Sequence, residues 1–308
     1  MPQVSVLMPA FNAEQYIEES IRSVIQQTFT DWELIILVDG AIDQTKTLVQ
    51  QWMHQDSRIR CIEHDMNLGL ITSRNDLLEA ATSPYIAWLD ADDICQPNRL
   101  EKQLDAFQKN SKVDVCSSEY LTLNMANHRL RRRKCYSQDS DLKALLTVYN
   151  PICNSTTMIK TLLAKKYPFV QSQIFAEDYD VWCRMASDNV NFYTIPEVLL
   201  TYRIHDHQIS RAKQSEMDQA FLTSQIRYLK SWHIENVPQK IPYQHRIKTA
   251  ISFMKFLNEG LKTKTGSRAS FWANAEIYAR FQFRRNGIFT ILTRSERWIV
   301  ACYASFFS

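Results

Sequence analysis

Over the first two hundred residues, short apolar runs alternate with stretches whose apolar positions recur every three or four residues. Val4 to Met8 (VSVLM) reads as a strand stopped by Pro9. Asn12 is placed to cap the next helix with Gln15 at the capping-box position, and Ile17, Ile21, Val24 and Ile25 give that helix an apolar stripe. Leu34 to Val38 (LIILV) predicts a second buried strand ending at Asp39-Gly40, residues 43–54 a helix, and Ile59 to Glu63 a third strand. Asn67-Leu68-Gly69 marks a turn and Ser73 to Ala81 a helix. Tyr85 to Leu89 (YIAWL) is then a fourth strand, apolar throughout as befits a strand covered on both faces. Beyond it come a helix at about 99–109, strands at Val113 to Glu119 and Asn154 to Ile159, a helix from Asp178 to Ala186 and a strand from Val198 to Arg203. Strands and helices alternating at this pace predict right-handed βαβ units around a mostly parallel sheet.

Composition adds limits. A chain of 308 residues with a 45% hydrophobic share has enough apolar mass for a real core, as one large domain or two modest ones. The seven cysteines are scattered without a Cys-x-x-Cys pair, and the amino terminus reads as a strand instead of a signal peptide. Both point to a reducing compartment. No apolar run approaches the ~18–20 residues of a membrane span. The nearest, Ile288 to Phe307, is broken by Arg294, Glu296 and Arg297.

Charge divides the chain near residue 210. Residues 1–210 carry 20 Lys and Arg against 27 Asp and Glu, while residues 211–308 carry 16 against 6 and read as basic and helical. A second concentration of charge, Arg129 to Lys134 (RLRRRK), reads as a solvated hairpin or loop.

The chemistry sits at strand ends. The fourth strand runs into Asp90, Asp92 and Asp93, at the edge where open α/β sheets bind ligands. Asp-x-Asp offers hard oxygen ligands to Mg²⁺ or Mn²⁺, cations that partner substrate phosphates. Asp39, Glu177 and Asp178 complete the set of acids. With five glycines there is no G-x-G-x-x-G or P-loop spacing, and no zinc cluster or G-x-S-x-G elbow occurs.

Six segments in order carry a resemblance: VSVLMPAFNAEQYIEESIRSVIQQTF, WELIILVDGAIDQT, NLGLITSRN, YIAWLDADD, AEDYDVWCRM and TYRIHDHQIS. Together they resemble a family-2 glycosyltransferase with the GT-A fold, over about two thirds of the chain. The resemblance implies an α/β, Rossmann-like, mostly parallel sheet flanked by helices, with an added C-terminal helical region. Its implied division is a GT-A domain at 1–210, split into a nucleotide-sugar half at 1–105 and an acceptor-side half at 106–210, followed by the basic region 211–308.

Residue roles follow from the matched motifs. Pro9, Phe11 and Asn12 would border the nucleotide base, and Asp39 would accept a hydrogen from its ring N–H. The family often has Asp-Asp-Gly-Ser where this chain has Val38-Asp39-Gly40-Ala41, so in this reading the base-facing acid survives and its neighbours are replaced. Arg74 would approach the diphosphate, Asp90 the ribose or a metal-bound water, and Asp92 the metal, with His205 facing the metal or diphosphate. Asp93 is expected to cap the next helix. Asp178 would be the base that deprotonates the acceptor hydroxyl in an inverting transfer. Glu177 would orient that base or the acceptor, and Trp182 and Arg184 would border the acceptor site, although Trp182 also reads as core.

The implied function is metal-dependent transfer of a sugar from a nucleotide-diphosphate donor, UDP-linked by preference, to a hydroxyl of a glycan or lipid-linked acceptor. A nucleotidyltransferase on a similar sheet lacks its glycine-rich loop in PAFNAEQY. A non-catalytic sugar-nucleotide or glycan-binding module would not need Asp90, Asp92 and Asp178 together. The expected location is cytoplasmic, and the basic region suggests peripheral contact with an anionic membrane at its inner face. No nucleic-acid motif is present.

Overall fold

Strand β1 (Val4–Ala10) lies between β2 (Trp32–Asp39) and β4 (Tyr85–Trp88), parallel to both, and β3 (Ile59–His64) pairs with β2. This computed structural model describes residues 1–146, 149–206, 208 and 214–231. Within them the sheet order is β3-β2-β1-β4-β8-β6-β9-β5, with β7 paired to β6. The four strands β3, β2, β1 and β4 are parallel. All residues of β1 and all but one of β2 are buried, which accounts for their apolar sequences. Helices α1 (Ile17–Ile25), α2 (Thr45–Gln55) and α3 (Leu70–Ala80) make the crossovers.

The second half of the sheet is mixed. Strand β8 (Met158–Lys160) runs antiparallel to β4 and to β6 (Val115–Asn124), β6 runs parallel to β9 (Phe192–Ile204), and β5 (Ile94–Cys95) runs antiparallel to β9. The basic segment forms β7 (Arg129–Arg133), the outer strand of a hairpin with β6. Helix α4 (Arg99–Lys109) follows β5, α5 (Asp139–Leu146) follows the hairpin, and α6 (Thr161–Ala164) follows β8. Helices α7 (Glu177–Ser187) and α8 (Gln214–Ser231) complete the described elements.

Three local expectations fail. Asn12 does not cap α1: its φ of 47° turns it out of the helix path, and its Oδ1 accepts the N–H of Ile42 at 3.0 Å, tying the loop after β1 to the loop after β2. Residues Asn154–Thr156 form a 3₁₀ turn before a short β8. Strand β9 begins six residues early, running through Pro196 with a register shift opposite Ser118 and Glu119. A bulge absorbs the missing N–H donor.

Two compact units divide the chain: Met1–Asp139 with Pro151–Ser224, and Ser140–Asn150 with Gln225–Ser308. In the second, buried Tyr228 donates its hydroxyl to the Lys143 carbonyl at 3.0 Å. Most of the basic helical region expected at 211–308 lies outside the described residues.

Candidate active site

The carboxyl ends of β1, β2 and β4 share one edge, and the strand order turns back between β1 and β4, which opens a crevice there. The acidic turn after β4 is held by backbone contacts from four directions. The Asp90 N–H donates to Ser155 Oγ at 3.0 Å, Asp93 N–H closes onto the Asp90 carbonyl at 3.1 Å, Ser20 of α1 donates to the Ala91 carbonyl at 2.8 Å, and Arg203 of β9 donates to the Asp92 carbonyl at 2.8 Å. Beneath it, buried Arg99 donates to the carbonyls of Trp88 at 2.9 Å and Thr157 at 3.1 Å, fixing the end of β4 to the segment before β8.

With their backbone held, the three acids point to different environments. Asp90 and Asp92 are partly exposed, at 28% and 25% of the side chain. Asp93 is fully buried and does not cap α4, whose N-cap is Asn98. Its Oδ1 accepts the Arg203 backbone N–H at 3.1 Å, locking β9 against the turn. Burial, and then the charges of Asp92 and Asp90, push its carboxyl well above the usual range.

Asp92 Oδ2 lies 2.9 Å from His205 Nε2, and Gln208 Nε2 approaches the same oxygen at 3.5 Å. The imidazole stacks on Tyr16 with ring centroids 4.6 Å apart. Arg203 packs its guanidinium 5.3 Å from the Tyr16 ring and pairs with Glu19, so α1 and β9 together fix the histidine. Among the described residues no group of three or more His, Cys, Asp or Glu side chains converges as a full metal cage. A carboxylate and an imidazole meeting at an open edge fit a cation whose other ligands come from a phosphorylated substrate and water.

Arg74 of α3 is buried, and its guanidinium joins two carboxylates: Nη1 donates to Glu177 Oε1 at 2.7 Å and Nη2 to Asp90 Oδ1 at 3.2 Å. Burial alone would lower its pKa. The charges of Asp90, Glu177 and Asp178 overcome that and raise it. The guanidinium thus bridges the acidic turn and the first turn of α7. Glu177 is spent on this bridge, whereas half-buried Asp178 beside it accepts the Tyr179 N–H at 2.6 Å. Trp182, expected on the acceptor side, has no exposed surface: it lies on the inner face of α7 and belongs to the core. Arg184 pairs with buried Asp180 at 2.8 Å.

On the opposite flank, Pro9 is buried and Phe11 is 48% exposed at the rim. Asp39 does not face the crevice as a free acceptor. Its Oδ1 receives the Leu68 N–H at 2.8 Å and lies 2.7 Å from His64 Nδ1, while Oδ2 receives the Gly69 N–H at 2.9 Å. The Ser73 hydroxyl also contacts it. A carboxylate has about four acceptor positions, so a base N–H would have to displace one of these donors. Burial alone would raise this carboxyl, yet the hydrogen bonds of Leu68, His64, Gly69 and Ser73 hold it below its ordinary range. Gly40 makes the close approach possible: its φ is +60°, and a Cβ there would sit 2.3 Å from Asn67 N and Met66 C.

The motifs missed several residues that build the site. Arg203 and Ser155 hold the acidic turn, Arg99 supports it, and His64 bridges Asp39 and Asp76, the latter at 2.9 Å. Asn154 is buried with neither side-chain Oδ1 nor Nδ2 hydrogen-bonded. Only the triplet Tyr202-Arg203-Ile204 before His205 hinted at an arginine there; the other residues carry no local signal.

Comparison with known proteins bears on the family and the fold. The model of the family described as "Glycosyl transferase family 2" matches residues 5–165. An uncharacterized glycosyltransferase of Methanocaldococcus jannaschii is 33% identical over 221 residues, 70% of this chain and 76% of that one. The Escherichia coli UDP-Glc:alpha-D-GlcNAc-diphosphoundecaprenol beta-1,3-glucosyltransferase is 32% identical over 216 residues, 70% and 82% of the two chains. Among solved structures, S. aureus TarS 1–349 in complex with UDP-GlcNAc aligns with a TM-score of 0.58 at 17% identity, over 93% of this chain and 92% of that one. The mannosyltransferase PcManGT of Pyrobaculum calidifontis, in complex with GDP-Man and Mn²⁺, aligns at 0.59 and 15% identity, over 99% and 85%.

Proposed function

Because the chain belongs to glycosyl transferase family 2 and has the GT-A fold, we propose that it is an inverting, divalent-metal-dependent transferase. In this reading it moves a sugar from a nucleotide-diphosphate donor, UDP-linked by preference, to a hydroxyl of a glycan or lipid-linked acceptor in polysaccharide synthesis. The observation that carries the reading is that the acidic turn presenting Asp92 to His205 is joined, from Asp90 through the Arg74 guanidinium to Glu177, to the first turn of α7 where Asp178 stands. Names of relatives support the class of substrate: one acts from UDP-Glc on a diphosphoundecaprenol-linked sugar, and a Bacillus subtilis relative, 29% identical, is named for teichuronic acid biosynthesis.

Asp92 and His205 would hold Mg²⁺ or Mn²⁺, and such an ion neutralises the charge that grows on a departing nucleoside diphosphate. Arg203 and Tyr16 keep the imidazole in register with the carboxylate. Phe11, Pro9 and Asn12 would border the base, and Asp39, which also holds the facing turn, would accept the base ring N–H in exchange for one of its present donors. Asp178 takes the proton from the acceptor hydroxyl as its oxygen bonds to the anomeric carbon, on the face opposite the departing diphosphate. Glu177, held by Arg74, fixes the first turn of α7 and so sets where Asp178 stands.

Residues 1–210 would form the catalytic domain, and the basic region from 211 would lie against an anionic membrane surface on the cytoplasmic side. Among the described residues no helix is long and apolar enough to cross a membrane.

The test is UDP or GDP release from a panel of nucleotide sugars with Mn²⁺ or Mg²⁺ and a lipid-linked or free glycan acceptor. Asp178→Asn is expected to lower transfer by about a thousandfold or more, within the range of a lost general base, while donor binding stays near the wild-type value. Transfer by this variant at the normal rate would remove Asp178 from the mechanism.

A further inference from the structure

Among the described residues strand β7 pairs only with β6, which leaves its outer edge without a partner strand there, and all five of its residues are exposed. Four of the five are arginines, and exposed Lys134 follows directly. Only Arg132 is neutralised, by the buried Glu119 at 2.6 Å. Among the described residues Arg129, Arg131, Arg133 and Lys134 have no ion pair or side-chain hydrogen bond. Side chains alternate along a strand, so Arg129, Arg131 and Arg133 share one face, spaced about 6.7 Å apart over about 13 Å. The opposite face carries Arg132 and Leu130, the latter 56% exposed.

The position of this row matters as much as its charge. Arg129 stands across from Asn124, and Asn124 stands across from Ile204, the residue before His205. Two strand spacings separate them, about 10 Å. A row of cations therefore starts at the rim of the site and runs outward along an open sheet edge.

We propose that this hairpin edge docks on an anionic phospholipid surface and so brings the site to a membrane-held acceptor. An edge strand is guarded against unwanted pairing by one or two charges; four unneutralised cations without an intervening acid exceed that need. Cations strung along an extended strand do not converge on one phosphate, as a pocket for a small ligand requires. They suit many separate headgroups in a plane, with Leu130 available to enter the interface. Nucleic acid would also favour arginines, but among the described residues no exposed Phe, Tyr or Trp stands among them to stack on bases, and the single exposed imidazole, His128, lies at one end of the row. The proposal adds to the glycosyl-transfer reading, and its test measures binding without turnover, so either can fail while the other stands.

The experiment is co-sedimentation of the full chain with vesicles of phosphatidylcholine, with and without 30 mol% phosphatidylglycerol. Hydrogen exchange of residues 125–134 is followed in parallel. The wild type should bind the anionic vesicles alone, with slowed exchange in the hairpin. Each arginine near the surface contributes a factor of about five, so the triple variant Arg129→Gln/Arg131→Gln/Arg133→Gln should bind about a hundredfold more weakly at an unchanged melting temperature. Unchanged affinity of the triple variant, equal binding to neutral vesicles, no binding at all, or unaltered hairpin exchange on bound vesicles would each overturn the proposal. Tighter binding to a single-stranded RNA oligonucleotide than to vesicles would assign the edge to nucleic acid and overturn it as well.

Discussion

Replacing Arg74 by Met tests whether the buried bridge holds the site together. The substitution keeps most of the side-chain volume and removes the charge. What remains is Glu177, only 9% exposed in its side chain, with no cation beside it, and Asp90, 28% exposed, with less to lose because water reaches it. Breaking one partner from a buried ion pair costs about 3–5 kcal/mol, because the survivor stays charged without its counterion. Against a total stability of roughly 5–15 kcal/mol this is a large share, and it corresponds to a fall in melting temperature on the order of 10 °C for a domain of this size. Urea denaturation at pH 7 of the wild type, Arg74→Met, Glu177→Gln and the double variant closes a cycle. If the cost is the stranded carboxylate, neutralising it should recover about 2 kcal/mol, and the two changes will be non-additive by that amount. Either a loss below about 1 kcal/mol in Arg74→Met or strict additivity in the cycle would refute the reasoning.

Three further outcomes follow from the same geometry. Burial alone would lower the pKa of His64, but its hydrogen bonds to Asp39 and Asp76 raise it above the ordinary 6.5. Its contribution to stability is therefore complete below about pH 6.5 and fades as pH rises through the folded value. Denaturation midpoints from pH 5.5 to 9 should fall in the wild type, and the slope should flatten in His64→Gln; equal slopes in both would sink the assignment. Gly40→Ala forces a Cβ to 2.3 Å from the Asn67 backbone at φ +60°, and should cost about 2 kcal/mol or more in denaturation. Asp92→Ala should abolish the part of UDP binding that EDTA removes from the wild type, as read by calorimetry; wild-type binding that ignores EDTA would count against a metal there.

The parallel half of the fold was legible because buried strands must be apolar throughout, and VSVLM, LIILV and YIAWL are short enough to be strands. Strand β9 was expected only from Val198, and a bulge opposite Ser118 and Glu119 lets the strand begin earlier and run through Pro196. The site was legible as a set of acids but not as a division of labour. Asp39, Asp93 and Glu177 look alike in sequence to Asp92 and Asp178. Partners remote in the chain decide how these carboxylates are held: Leu68 and Gly69 for Asp39, Arg203 for Asp93, and Arg74 for Glu177. Helical spacing likewise assigned Trp182 a face without saying that the face was covered on all sides.

The sheet's middle has a consequence for protein engineering. Strand β4 carries the acidic turn, yet its second neighbour is β8, formed by residues more than fifty positions later, and Arg99 ties the two together by donating to the carbonyls of Trp88 and Thr157. A fragment ending near residue 105 would leave β4 with an open apolar edge and Arg74 without Glu177. Residues 1–105 are therefore not a cassette that can be excised or exchanged between relatives at that boundary. A chimera that preserves the site must take its crossover beyond His205, so that β4, β8, Glu177, Arg203 and His205 come from one parent.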